Sequence, residues 1–279
     1  IYYKNEQELF EIFNDFDVIL DHQYYLYKNI NNNKIIQVIH SVNKYFETID
    51  NNFRYTINLY NEYELNSSWN NTIKVINYLG VNQCINYKKI INKIKNVINT
   101  NKFIVENIAI IGRIDYHKFP TEFLDSLIKF CKIFNYKFNI YGNIEDYYKK
   151  YFLKKIQTTK NIIYHGYIDY ENIENIYLNN DILLSPSKSE AGATVLLESM
   201  NNGLVPICRN SGGNKETINN EKYIMNDNTE YFHKIKNLSS TNYYEIIKDI
   251  FKMKKKIILY HNNYHNYNSL FNHINIYHE

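Results

Sequence analysis

The sequence predicts an α/β protein built on doubly wound parallel sheets. Short apolar segments, such as 107–111 and 181–184, alternate with longer segments in which apolar residues recur at helical spacing. The apolar segments end in small or polar turns, as at Ser185-Pro186. Strands that alternate with helices form parallel sheets, and ligands of such sheets bind outside the carboxyl ends of the strands.

In the first part of the chain the predicted elements are mostly short strands. They lie at 17–20, 34–39, 53–60 and 73–79, between a helix at 6–14 and a Lys-rich helix at 82–102. Two strands are followed by a histidine, His22 and His40, and both ends could face one cleft. From the residues alone we favour a surface or hydrogen-bonded position at a strand end for each. We interpret Asp15-Phe16-Asp17 as a turn rather than a metal site, because it precedes its strand.

The second part alternates strands and helices without interruption. The predicted strands are 107–111, 137–141, 161–164, 181–184, 204–208 and 223–225, and the predicted helices are 121–134, 145–157, 170–178, one beginning near Ala193 or Thr194, 229–237 and 241–260. We therefore expect a partial first domain with its linker at 1–105, a second domain at 106–240 and a C-terminal helical segment at 241–279.

Composition and net charge limit the partners and the cellular compartment that we expect. The net charge of +3 over 279 residues is too small to indicate nucleic acid, and no apolar run approaches the ~18 residues of a membrane span. Cys84, Cys131 and Cys208 have neither disulfide nor zinc-site spacing, so we expect a reducing, cytoplasmic compartment. The basic run Lys252 and Lys254–Lys256 is of a kind that an anionic membrane attracts, although we favour a solvated face.

The stretch from Ser185 to Ile218 is the most informative. Glu190 and Glu198 flank a turn of Ala and Gly and the predicted helix start. A small-residue turn lets a ligand approach the backbone, and the first N–H groups of a helix suit a phosphate. Glu198 is placed to accept hydrogen bonds from a sugar diol, and Glu190 from a second polyol. A solvated Glu190 and a helix-dipole Glu198 remain an equal alternative from this spacing alone.

A second phosphate signal follows the strand at 107–111. Gly112-Arg113 and then Lys118 place two cations after a strand and a glycine. Arg forks two phosphate oxygens, and Lys adds a compact charge. Arg occurs otherwise only at Arg54 and Arg209. Any α/β domain needs glycines in its turns, which explains why glycines cluster in this part of the chain. It does not explain the presence of Arg113.

Taken in their order along the chain, the motifs of this sequence resemble those of GT-B-fold glycosyltransferases. The resemblance is strongest to the retaining family-4 group, also described as glycosyl transferases group 1. The matches are Gly112-Arg113 with Lys118 to G-R-x-x-x-x-K, Tyr141-Gly142 to a strand-end Gly, His165-Gly166-Tyr167-Ile168 to F-x-G-Y-V, Glu190 to Glu198 to E-x7-E, Gly212-Gly213-Asn214-Lys215-Glu216 to G-G-x-x-E and, more weakly, Asp17 to His22 to D-V-I-x-x-H. The resemblance implies a GT-B fold of two Rossmann-like domains.

The resemblance also implies a role for each matching residue. A UDP- or GDP-linked sugar would be the donor, a glycan, lipid or protein the acceptor, and attack would proceed with retention and without a metal or other cofactor. The implied roles are diphosphate binding by Arg113, Lys118 and the backbone of Gly192, Ala193 and Thr194, ribose binding by Glu198, base contact near Tyr167 and Ile168, donor-sugar contact by Glu190, and contact near the reacting carbon by His22.

The first domain departs from the family pattern. It is shorter than the resemblance implies, and no glycine precedes Gly80, so the family's Gly-rich loop has no counterpart. The chain begins with Ile1 and shows no signal peptide. We expect either an N-terminal truncation or a reduced acceptor domain, which leaves open a nucleotide-sugar-binding or scaffold protein. A dinucleotide-binding domain is disfavoured because no G-x-G-x-x-G follows the strand at 108–111.

Overall fold

The computed structural model describes residues 19–21, 35–39, 55–58, 73–76, 103–190 and 193–260. These residues fall into two compact units. The four short segments before residue 79 belong to the first unit, and the residues from 103 to 260 belong to the second. The predicted helices at 6–14 and 82–102 lie outside the described residues, and the predicted domain boundaries stay predictions.

The first unit contains a four-stranded parallel sheet. Its strands are β1 (Ile19–Asp21), β2 (Ile35–Ile39), β3 (Tyr55–Asn58) and β4 (Ile73–Ile76), and they pair in chain order. All four predicted strands are therefore present, with shorter bounds than the apolar runs indicated.

The second unit contains a six-stranded parallel sheet in which the strand order reverses. Its strands are β5 (Asn107–Ile111), β6 (Lys137–Tyr141), β7 (Ile162–Gly166), β8 (Ile182–Ser185), β9 (Val205–Arg209) and β10 (Ile224–Met225), in the order β10-β9-β8-β5-β6-β7. The chain runs outward from β5 to β7 and then returns to form β8 on the other side of β5. This reversal confirms the doubly wound topology and creates a crevice between the carboxyl ends of β5 and β8.

Helices connect successive strands of the second sheet, and two further helices follow its last strand in the described residues. They are α1 (Thr121–Cys131), α2 (Asp146–Ile156), α3 (Ile173–Asn179), α4 (Thr194–Asn201), α5 (Asn214–Ile218), α6 (Asn228–Ser240) and α7 (Tyr243–Tyr260). Two differ from the predictions by more than the positions of their ends. The segment predicted as one helix at 170–178 is a 3₁₀ turn, Tyr170–Asn172, followed by α3. The short helix α5 was not predicted, because five residues are too few to display a helical period.

The core explains why these segments adopt these conformations. All residues of β8 and the first four of β9 are buried, as expected for central parallel strands covered on both faces. Helix α1 buries one apolar stripe, which includes Phe123 and Phe130, and Phe232 of α6 stacks on Phe130. None of the helices in the described ranges has the length and hydrophobicity that crossing a membrane requires.

Gly142 allows the ends of β5 and β6 to approach closely. Its φ is +138°, a conformation that L side chains rarely adopt. A Cβ atom added at this position would lie 1.9 Å from the carbonyl oxygen of Gly112. The Gly112 N–H also donates to the Tyr141 carbonyl at 3.0 Å. A glycine at Gly142 is thus required where the chain turns from the sheet towards the crevice.

We predict that Gly142→Ala destabilises the second unit by more than Gly166→Ala. Both glycines have positive φ, for which a side chain costs about 1–3 kcal/mol, but nothing lies within 4 Å of a Cβ at Gly166. The added clash at Gly142 should therefore appear as a further loss of unfolding free energy in urea titrations of the two variants. Equal losses would mean that the close approach of the two strands is not a constraint.

Candidate functional site

A cavity of about 480 Å³ opens at the carboxyl ends of β5 and β8, where the strand order reverses. It brings together most of the residues that the sequence indicated as a site. Those that line it are Gly112, Arg113, Lys118, Glu190, Ala193, Thr194 and Glu198. Residues that are distant in sequence thus share one crevice, in the position where open α/β sheets bind ligands.

Asp115 fixes the loop that carries the two cations. Its carboxylate is buried and accepts hydrogen bonds from the backbone N–H groups of His117 and Lys118, both at 2.7 Å. Its other oxygen lies 2.6 Å from Arg113 Nε. Burial acts to raise the pKa of Asp115, but the two N–H groups and the Arg113 guanidinium outweigh it and lower that pKa. Asp115 is therefore an ionised anchor that orients Arg113 and the turn leading to Lys118.

Lys118 connects this loop to the one that follows β8. Its Nζ lies 2.7 Å from Glu190 Oε2 and donates to the Ser189 carbonyl at 3.2 Å. The backbone adds a second link, because the Lys188 N–H donates to the His117 carbonyl at 2.8 Å. Glu190 is only 11% exposed, so its charge is balanced by a partner inside the cavity.

Gly212 holds the loop after β9 against Glu190. Its φ is +49°, and an added Cβ would lie 1.5 Å from the Glu190 carbonyl oxygen. The N–H of Gly213 donates to the same carbonyl at 3.3 Å, and the Ser211 hydroxyl donates to the Ser187 carbonyl at 2.9 Å. Gly212 and Gly213 therefore act on the site indirectly, because they fix the backbone that carries Glu190.

Glu198 lies deeper in the crevice and has a buried partner. The hydroxyl of Tyr177, on α3, donates to Glu198 Oε2 at 2.6 Å, and Tyr177 is 1% exposed. Burial raises the pKa of Glu198, while the Tyr177 hydrogen bond acts to lower it. The second carboxylate oxygen remains the one on which a ligand hydroxyl can be placed. Glu198 is thus half-buried with one fixed donor, unlike a fully solvated helix-dipole residue.

Helix α4 begins at the cavity, as predicted. Ala193 is its N-cap, with extended backbone angles, and Thr194 is its first residue. Ala193 offers no capping oxygen, and no side chain caps this end within the described residues. The first N–H groups of α4 thus remain donors for a ligand, and the helix dipole is positive there.

Of the predicted site residues that the structure describes, Tyr167 and Ile168 do not line this cavity. Tyr167 is 64% exposed and Ile168 is half-buried, and the structure brings Tyr170 and Ile173 to the crevice instead. Base binding at Tyr167 and Ile168 stays a prediction. His22 and Gly192 lie outside the described residues.

The sequence did not single out Asp115, Tyr170 or Tyr177. Asp115 could have been found, since an Asp two and three residues before backbone donors commonly accepts their hydrogen bonds. The tyrosines could not, because 29 tyrosines in one chain leave no signal that separates a functional ring from a core ring. The Glu198 charge raises the pKa of Tyr170, with burial adding to the effect.

Sequence comparison supports the assignment that the motifs indicated. The family described as "Glycosyl transferases group 1" matches residues 88–256. An "Uncharacterized 41.2 kDa protein in cps region" of Klebsiella pneumoniae is 31% identical over 113 residues, which are 40% of this chain and 30% of the relative. "Protein CapJ" of Staphylococcus aureus is 32% identical over 69 residues, which are 24% of this chain and 18% of the relative. The matched region thus spans less than a third of each curated relative.

Structural comparison identifies the fold. Trehalose-6-phosphate synthase OtsA has a TM-score of 0.74 and 13% identity, covering 95% of this chain and 74% of that chain. Anabaena HepE in complex with UDP and glucose has a TM-score of 0.66 and 10% identity, covering 86% and 71%. At these identities the likeness shows the fold alone, which is GT-B. With the family match extending over more than half of the chain, it follows that this protein belongs to the glycosyl transferases group 1 family.

Proposed function

We propose that this protein transfers a sugar from a nucleotide-diphosphate-sugar donor to an acceptor hydroxyl, with retention and without a metal. The observation that carries the proposal is the cavity at the strand reversal, where Arg113 and Lys118 stand with the first turn of α4. Membership of the group 1 family supports it, as do the UDP and glucose in the HepE complex.

The donor's diphosphate is assigned to the two cations and the start of α4. Breaking a sugar–phosphate bond places negative charge on the leaving diphosphate. Groups that are already oriented towards that charge lower the barrier, because they need no reorganisation in the transition state. Asp115 orients Arg113, and Glu190 holds Lys118 at 2.7 Å. These cations and the α4 N–H groups would take the place of a divalent metal.

We expect the diphosphate to compete with Glu190 for Lys118. The pair lies inside the cavity, so an incoming phosphate would meet a cation whose present partner is a carboxylate. Glu190 would then be released towards the donor sugar, where its oxygens accept hydroxyl hydrogen bonds. His22 is assigned to the acceptor side near the reacting carbon.

The nucleoside is assigned to the deeper part of the cavity. Glu198 would accept hydrogen bonds from the ribose hydroxyls, while Tyr177 holds its other oxygen. Tyr170 and Ile173 line the cavity near this end of the site and are candidates for contact with the base, together with the backbone at Tyr167 and Ile168. Both UDP- and GDP-linked sugars remain candidate donors.

We predict that Arg113→Ala and Lys118→Ala each weaken UDP binding by about 10- to 100-fold, the effect of losing one charged hydrogen-bonding partner. Lys160→Ala is the matched control, because Lys160 is exposed and precedes β7 at the opposite edge of the sheet. Isothermal titration of the three variants with UDP and GDP measures the effect. If Lys160→Ala lost as much affinity for UDP as the other two variants, the effect would come from the overall charge of the protein and not from contacts in the cavity.

We predict that Tyr177→Phe weakens UDP binding. We also predict that the acid limb of the pH dependence of UDP binding, where affinity falls with falling pH, moves to higher pH. Binding requires the ionised Glu198 carboxylate and is lost as pH falls through its pKa, which burial already raises. Removing the Tyr177 hydroxyl deletes the hydrogen bond that lowers this pKa, so the limb should move upward.

Tyr223→Phe is the control for this experiment. Tyr223 is equally buried but donates to Asp249 at 2.7 Å, away from the cavity residues. Titrations with UDP over a pH series compare both variants with the wild type. If the acid limb of UDP binding were unchanged in Tyr177→Phe, Tyr177 would have no role in positioning Glu198.

Turnover separates the transferase from the nucleotide-sugar-binding alternative. We expect a panel of UDP- and GDP-sugars to be hydrolysed slowly or transferred, and His22→Ala to lower turnover more than binding. Tight binding with no turnover in the full panel would support the binding or scaffold protein. Absence of any nucleotide-sugar binding would contradict both.

A further inference from the structure

Helix α7 presents a solvent face that carries three lysines and two aromatic rings. The lysines are Lys248, Lys252 and Lys255, and the rings are those of Tyr244, 76% exposed, and Phe251, 54% exposed. With 3.6 residues per turn, these five positions lie within about 100° of one another around the helix. We call them the α7 outer face.

The opposite side of α7 fixes this orientation. Ile246, Ile250 and Met253 are buried, and the helix packs against α4 of the second unit. A helix with one buried apolar stripe cannot rotate to hide the other side without exposing that stripe. The α7 outer face therefore lies on the exposed side of the helix among the described residues.

Two lysines of the basic run in the sequence do not belong to this face. Lys254 is buried, and its Nζ donates to the Asn201 carbonyl at 2.8 Å. Lys256 Nζ donates to the Thr217 carbonyl at 3.2 Å and also to that of Glu216. These two contribute to the fold, whereas Lys248, Lys252 and Lys255 extend into solvent.

Beside the outer face lie two further lysines and two carboxylates, so the excess of positive charge is that of the face itself. A cavity of about 740 Å³ lies beside it, lined by Lys222, Lys248, Lys252, Lys255 and Lys256 with only two carboxylates, Glu245 and Asp249. Asp249 is already engaged, because Lys222 Nζ lies 3.1 Å away and the Tyr223 hydroxyl donates to it at 2.7 Å. The face therefore attracts anions and does not compensate its own charge.

We propose that the α7 outer face docks on an anionic phospholipid bilayer. Lysines near such a surface are attracted to the lipid phosphates, and exposed Phe and Tyr rings favour the boundary between headgroups and acyl chains. The rings and lysines project from one side of a single helix, so they can contact a flat surface together. Single-stranded nucleic acid is bound instead by grooves lined with stacking rings.

Co-sedimentation of the full chain with vesicles tests this proposal. One set of vesicles is phosphatidylcholine, and the other contains phosphatidylglycerol as well. We expect binding to the anionic set only, decreasing as salt is raised. The triple variant Lys248→Gln/Lys252→Gln/Lys255→Gln should bind on the order of 100-fold more weakly, since each lysine contributes about fivefold. Tyr244→Ala/Phe251→Ala should lose about tenfold.

Matched controls come from other exposed residues of the second unit. Lys149, Lys150 and Lys154 of α2 are exposed, and their triple change to Gln removes the same net charge. Ile133→Ala removes a side chain that is 75% exposed. Both controls should bind anionic vesicles as the wild type does, and thermal melts should show that all variants fold.

Four results would overturn the proposal. They are equal binding to neutral and anionic vesicles, no binding to either, equal losses in the α7 and α2 triple variants, and binding of single-stranded RNA without binding of vesicles. None of these depends on nucleotide-sugar turnover, so the docking surface and the proposed transferase activity succeed or fail separately.

Discussion

The reversal of strand order beside β5 is the constraint on which the rest of the second unit depends. Because the chain leaves β5 in one direction and later returns to form β8 on its other side, the loops after these two strands diverge and leave a crevice. Buried apolar strands make that arrangement rigid, and Gly142 lets the neighbouring strand end come close. The strand order of the sheet therefore creates the cavity, and the residues of the loops determine which ligands it can bind.

The loops pair each of the two cations in that crevice with a carboxylate. Asp115 holds Arg113, and Glu190 holds Lys118, so each cation has a carboxylate partner that orients it. Paired charges of this kind tolerate burial far better than isolated ones. Glu198 is arranged differently, since its partner is a buried hydroxyl and one of its oxygens is left for a ligand. The crevice thus holds two cations paired with carboxylates and a third carboxylate that has one oxygen left for a ligand.

The sequence predicted the strands, most helices and the cavity-lining motif residues, but not Asp115 and Tyr177, which hold Arg113 and Glu198. Scarce residue types were informative, because Arg113 and the turn glycines stand out in a chain that is poor in both Arg and Gly. Tyr177 was not predictable, because its function arises from a contact between α3 and α4 and not from local spacing. Helix α5 was too short to have a period. The basic run was visible in the sequence, whereas its division into buried and exposed lysines required the packing of α7.

The most direct test of the proposed donor site is a crystal structure of the protein with UDP. We expect the diphosphate oxygens to lie within about 3.2 Å of Lys118 Nζ, the Arg113 guanidinium and the Thr194 N–H, with the ribose hydroxyls on Glu198. Lys118 should then have exchanged Glu190 for a phosphate oxygen. UDP bound elsewhere, or bound in the cavity with Arg113 and Lys118 both still paired only to their carboxylates, would contradict this assignment.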